Sequence, residues 1–189
     1  MSSGKERFNF NERMRPIADV LYQTLMPGIT CIKRFDKDKE RFILDFEYGI
    51  DIQISLVNGM ILTGQEKFSE FAKWGEQQGK TQYSDVTVEY YNNPILKVKG
   101  DWFNLASQFY FVGFASKDES SFDRYVLLDW LQVVLETVKG NIVWGTGAQS
   151  NGWAKASFKY TPFNRLPEHC IIATKSLEKI PIPMGLEDA

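Results

Sequence analysis

Histidine and cysteine are nearly absent from this chain, and their scarcity removes whole classes of chemistry. The two cysteines, Cys31 and Cys170, stand far apart and form no CxxC pair and no Cys/His cluster. That excludes a structural zinc site and makes a reduced, cytoplasmic protein the expectation. The single histidine, His169, excludes mechanisms that need two imidazoles, and its Pro-Glu-His-Cys setting reads as loop. Long apolar runs are missing too. None approaches the roughly 20 residues that cross a bilayer, and residues 1–10 carry charge without the apolar centre of a secretory leader. An excess of positive charge is also lacking: 22 Lys and Arg against 24 Asp and Glu give a net charge of −2. A typical nucleic-acid binder shows a basic stripe, so a polyanionic partner here requires charges segregated onto one face.

What is present is the composition of an ordinary globular protein. With 189 residues there is enough chain for one core and too little for two comfortable ones. The 43% hydrophobic and 24% charged fractions argue against extensive disorder, and 14% aromatic residues favour strands and packed surfaces. A single α/β (α+β) domain spanning residues 1–189 is expected.

Periodicity orders the elements. After a polar start, Met14, Ile17, Leu21 and Leu25 recur at helical spacing and predict a helix over residues 11–25, with Asn11 as N-cap, Pro16 in the first turns and Pro27-Gly28 as the stop. Residues 30–35 and 41–48 read as strands, the second alternating through Phe42, Leu44 and Phe46. Beyond Gly49, the residues Ile50, Ile52, Ile54 and Leu56 share one strand face and leave Asp51, Gln53 and Ser55 on the other. Asn58-Gly59 is a hairpin turn into a strand over residues 60–68. A short helix is expected over residues 68–79, strands over 86–91 and 95–98, and a short helix over 104–107. Residues 109–114 form a strand buried on both faces. Residues 124–138 are either helical throughout or a strand that enters a helix at Asp129. A polar glycine-bearing loop over 146–152, an alternating strand over 153–161 and an extended tail complete the chain.

One constellation suggests chemistry. Asp51 lies on a strand, and Gln65-Glu66-Lys67 lie on the next, across the Asn-Gly turn; Glu12 lies in the preceding helix. Phosphodiester cleavage needs an activated water, a Lewis acid on the phosphate and a cation against developing charge. Mg²⁺ takes oxygen ligands from one or two carboxylates, with waters and phosphate oxygens. Regular pleating projects Gln65 and Lys67 from one face, where they meet Asp51 on the neighbouring strand. It points Glu66 the other way unless a bulge turns it inward. Glu12 also reads as an exposed first-turn residue favoured by the helix dipole. Glu89 is a further ligand candidate, while Gln108 and Tyr110 either touch such a site or line it.

This arrangement resembles the PD-(D/E)XK restriction-endonuclease-like nuclease superfamily, whose core runs helix, three antiparallel strands, crossover helix, strand. Asp51 matches the aspartate of the motif and Lys67 its lysine; Gln65 stands where an acid is usual and leaves a metal one carboxylate short. The order of Gly49-Ile-Asp51, Thr63-Gly-Gln-Glu-Lys67, Thr87-Val-Glu-Tyr90, Gly100-Asp-Trp-Phe103 and Ala106-Ser-Gln-Phe-Tyr-Phe-Val-Gly-Phe114 is similar to a phage-type branch over residues 10–135. The resemblance implies a core over residues 10–140, with a strand and tail over 141–189, and a central mixed sheet flanked by helices. It also implies Mg²⁺, or Mn²⁺ in its place, held by Asp51 and Gln65 with Glu66, Glu12 or Glu89, and Lys67 acting on the attacking water. The partner implied is double-stranded DNA, cut by a homodimer with no membrane involvement. Two competing readings stand beside it: a non-catalytic phage or host-interaction protein on the same fold, and an α/β module that binds single strands through its aromatic residues.

Overall fold

A computed structural model describes residues 4–35, 44, 47–70, 85–151 and 154–175, with the side chains of all of these except 4–8, 149–151, 154 and 155. Helix α1 (Gly4–Leu25) leads into three antiparallel strands, β1 (Ile29–Arg34), β2 (Ile52–Leu56) and β3 (Ile61–Ser69). The β2–β3 turn closes at Gly59, whose φ of +83° suits a residue without a Cβ, and the Asn58 side chain accepts from the Met60 N–H. Strands β4 (Asp85–Asn93) and β5 (Val98–Lys99) form a second hairpin. The chain then returns to the first sheet as β6 (Phe109–Ala115), parallel to β3, and β7 (Phe122–Asp129), antiparallel to β6. Helix α2 (Trp130–Val138) follows, with the Asp129 carboxylate capping it at the Gln132 N–H. Strands β8 (Gly145–Asn151), β9 (Ala154–Pro162) and β10 (Ile171–Lys175) complete the order.

These strands make two sheets. One is six-stranded and mixed, in the order β1-β2-β3-β6-β7-β10; the other is four-stranded, β5-β4-β9-β8. The six-stranded sheet buries both faces, which is why every residue of β6 is buried. On one face Phe10, Met14, Ala18 and Tyr22, four apart along α1, pack on Ile52, Ile54, Phe109 and Phe111. On the other, Tyr110, Val112, Val126 and Leu128 pack with Val86 and Val88 of the second sheet. Each large side chain removed from water in this way contributes about 1.5–3 kcal/mol.

The α+β class and the mixed sheet follow the sequence reading, but several elements correct it. Among the described residues the flanking is unequal: α1 covers one face, and the other meets a second sheet together with Trp130 and Val133 of α2. Helix α1 begins at Gly4 rather than at an Asn11 cap and runs through Pro16. Its apolar stripe, from Phe10 to Tyr22, spans the proline and holds the turns on either side against the sheet. Leu44 and residues 47 and 48 are helical where a strand was expected, and the rest of 41–48 lies outside the described residues. Ile95 and Leu96 sit in a turn rather than a strand, a 3-10 turn at Asp101–Phe103 replaces the helix expected over 104–107, and β8 replaces the polar loop over 146–152. Phe68 belongs to β3, and residues 71–79 of the expected short helix lie outside the described residues. Residues 124–138 take the strand-then-helix alternative. Among the described residues no helix is long and apolar enough to cross a membrane.

Candidate active site

Asp51 sits where β2 begins, and its backbone is held from both sides. Its N–H donates to the Gly64 carbonyl at 2.9 Å and its carbonyl accepts from the Phe35 N–H at 3.1 Å. Just past this point the β2–β3 ladder ends, and the Asp51 side chain takes over the ladder's work: its Oδ2 accepts the Glu66 N–H at 2.9 Å. The register Ile52↔Gly64 continues to set Asp51 opposite Gln65. On the other side of β3, Gln65 pairs with Tyr110 and Lys67 with Val112, both of which face the second sheet. Asp51, Gln65 and Lys67 therefore share one face of the six-stranded sheet, as the alternation predicted.

Lys67 reaches across to the second sheet, where its Nζ donates to the Thr87 carbonyl at 3.1 Å; the Tyr110 hydroxyl donates to the same oxygen at 2.8 Å. The second sheet thus meets this face at the flank of β4 short of its pairing with β5, and two side chains satisfy a carbonyl that no described strand pairs with on that side. Thr87 also lines a cavity of about 420 Å³ with Ser69, Asp85, Phe114, Phe158 and Tyr160. Burial pushes the Asp85 carboxyl up, and Arg165 opposes that shift.

Two more acids join this corner. Gly100 is pressed against β4 so closely that a Cβ there would stand 2.7 Å from the Glu89 side chain, which sets Asp101 beside Glu89. The Glu89 carboxyl is pushed up by burial first and by Asp101 second, with the Lys67 ammonium drawing it down. Tyr110 is held well above its ordinary value by burial, with Asp101 and Asp51 adding to it. Asp101 was not singled out from sequence: Gly100-Asp101 reads as a turn, and only the fold-back of the β4–β5 hairpin brings it here.

Gln65 has an unusual position in this group. Its Oε1 is buried and accepts no hydrogen bond among the described residues, and a Cβ added at Gly49 would lie 3.6 Å from it. A buried amide oxygen without a donor is costly, and a hard cation is one partner that would satisfy it. A set of oxygen donors from Gln65 and Asp51 suits Mg²⁺ rather than a thiophilic metal. Among the described residues, no three His, Cys, Asp or Glu side chains form a group that could hold an ion by themselves.

The remaining predicted residues lie elsewhere. Glu66 points to the α1 face, with no bulge in either ladder of β3 near it. There it accepts from Arg34 Nε at 2.8 Å and Nη2 at 3.0 Å and from the Tyr22 hydroxyl at 3.1 Å, and its side chain is only 4% exposed. Arg34 in turn binds Asp19 at 2.6 Å. These carboxylates hold the guanidinium above its ordinary value although burial opposes them. Glu12 is on α1 and pairs with Arg15. Gln108 continues the ladder, its Oε1 accepting from the Thr63 N–H at 2.9 Å. Lys159 lies over the Tyr90 ring at 4.5 Å, whereas Lys73, Lys80 and the Lys155 side chain fall outside the described residues. His169, largely exposed, stands 3.4 Å from Glu136, away from this corner.

Comparisons with protein-family models, with curated proteins and with solved structures give no match to this chain.

Proposed function

We propose that the protein is a metal-dependent endonuclease that hydrolyses DNA phosphodiester bonds at the Asp51–Gln65–Lys67 corner, on a restriction-endonuclease-like core. The observation that carries this reading is the shared face of these three residues, on antiparallel strands that follow a helix and precede a strand parallel to β3. The succession α1, β1, β2, β3 and then the parallel β6 agrees with the strand order the resemblance implies, but the described residues of the crossover form a β-hairpin where the resemblance implies a helix.

Mg²⁺, or Mn²⁺ in its place, would be held by the Asp51 carboxylate and Gln65 Oε1 and would supply Lewis-acid polarisation of the phosphate. Asp51 is oriented for this by the Glu66 N–H, so its rotamer is set before substrate arrives. Lys67 places its ammonium on the same face, where it can oppose the charge that develops on the phosphate oxygens. Glu89 and Asp101 add negative potential beside Lys67. The partner is double-stranded DNA, bound by a homodimer where both strands are to be cut.

A second reading is a binding protein on the same architecture, favoured by Gln65 in place of an acid and by the engagement of Lys67 with the Thr87 carbonyl. Titration of Mn²⁺ followed by electron paramagnetic resonance separates the two. The nuclease reading expects a site that Asp51→Asn abolishes and Glu66→Gln leaves intact. Equal binding by wild type and Asp51→Asn, or none by either, rejects it.

A further inference from the structure

The β4–β5 hairpin combines features that duplex phosphates alone do not call for. Residues 90–100 hold Lys97 and Lys99 and no acid, in a chain whose net charge is negative. At the turn, Ile95 and Leu96 are 72% and 73% exposed, and Val98 follows at 48%. The turn is built to present them: the Asn93 side chain accepts from the N–H groups of Ile95 and Leu96 at 3.0 Å each, and Lys97 adopts a left-handed φ of +53°. Behind it stands a plate of rings. Tyr90 stacks on Phe103 with centroids 5.1 Å apart, Tyr91 lies 5.5 Å from Phe103, and Phe103 is 40% exposed. Lys99 lies over Phe103 at 5.3 Å and Lys159 over Tyr90 at 4.5 Å.

The location matters as much as the content. Glu89 immediately precedes residues 90–100 and Asp101 follows them, and these are the two acids beside Lys67. A strand leaving the Asp51 corner therefore meets the rings and lysines next. Contacts with the phosphates of an intact duplex use lysine and arginine and leave exposed aliphatic and aromatic area unrewarded. Unpaired nucleotides present negative charge and flat apolar faces together, and base–aromatic stacking with flanking cations is the interaction that captures them. Apolar side chains on a rigid turn are also suited to entering where base stacking is broken.

We infer that the β4–β5 hairpin holds unpaired bases, so that DNA with a single-stranded segment, such as a fork, flap or frayed end, is preferred over uninterrupted duplex. This rests on the nuclease reading above. The test is fluorescence anisotropy with labelled oligothymidylate of about twenty nucleotides, enough to span an aromatic-lined groove. A paired duplex of equal length and a fork are measured alongside, all in chelator so that nothing is cut. Wild type should bind the single strand and the fork about tenfold more tightly than the duplex. Phe103→Ala and the double variant Ile95→Ser, Leu96→Ser should each lose most of that preference, about five- to tenfold, while duplex binding stays the same. Because Ile95 and Leu96 are exposed, the double variant separates binding from folding.

Variants that bind the single strand as well as wild type, or a wild type that prefers duplex, overturn the inference. So does binding to phosphatidylserine vesicles with none to DNA, which would assign the hairpin to a lipid surface. Hairpin-dependent binding without Mg²⁺-dependent cleavage would sink the catalytic reading and leave the hairpin's role standing. Cleavage of forks unaffected by the hairpin variants would do the reverse.

Discussion

Asp51 serves the fold and the proposed chemistry with the same carboxylate, and a conservative substitution separates the two. Asn at this position keeps an oxygen for the Glu66 N–H and discards the charge. Asp51→Asn should therefore melt close to wild type while losing about 10²-fold or more in cleavage. Lys67→Ala removes one of two donors to the Thr87 carbonyl, and the Tyr110 hydroxyl remains. A stability loss of about 1 kcal/mol is expected, with DNA binding retained and cleavage lost. Gln65→Glu places a second carboxylate opposite Asp51. In chelator the like charges should lower the melting temperature, and added Mg²⁺ should raise it by more than in wild type, because binding to the folded state alone stabilises that state. Glu66→Gln should change stability and leave the metal site alone. It strips a carboxylate from a buried guanidinium and should cost about 2–4 kcal/mol in denaturant unfolding, without changing Mn²⁺ affinity.

Element by element, what could be read from sequence follows from how local the determining contacts are. The β2 and β3 strands were legible because one face of each is buried and the turn between them is specified by Asn58-Gly59. That alternation is also what placed Asp51, Gln65 and Lys67 together and sent Glu66 away. Strand β8 was not legible, because Gly145 and Gly147 look like loop residues until the rings of β9 are laid across them. A Cβ at either glycine would stand 2.4 Å from Tyr160 or Phe158. Asp101 was missed for the same reason, since its neighbours Glu89 and Tyr110 are brought to it only by tertiary folding. The end of α2 carries a pH signature of its own. Glu136 accepts from Lys139 at 2.8 Å and from Asn141 at 2.6 Å, and its pKa falls to about 2. A carboxyl depressed in the folded state stabilises above its ordinary value of 4.5 and loses that contribution as pH drops towards about 2. Urea midpoints of wild type and Glu136→Gln should thus diverge at neutral pH and converge in acid. Glu89 has the opposite sign: its raised carboxyl erodes stability as pH climbs from the ordinary carboxylate range through the raised value, and Glu89→Gln should flatten that slope.

The whole molecule is two sheets sharing a core, with the proposed site where the flank of the smaller sheet meets a face of the larger. That geometry separates charge in a way that suits the proposed polyanionic substrate: Asp51, Glu89 and Asp101 gather at the corner, and Lys97, Lys99 and Lys159 lie on the hairpin side of it. DNA affinity should fall steeply with salt as condensed counterions are released on binding, and a flat response would point to another kind of partner. The most direct measurement is nicking of supercoiled plasmid by wild type and Asp51→Asn, purified side by side and assayed in Mg²⁺, in Mn²⁺ and in chelator. Wild type should nick in either metal and not in chelator, and Asp51→Asn should be slower by about 10²-fold or more. A wild type inert in both metals, or an Asp51→Asn variant that cuts as well as wild type, would contradict it.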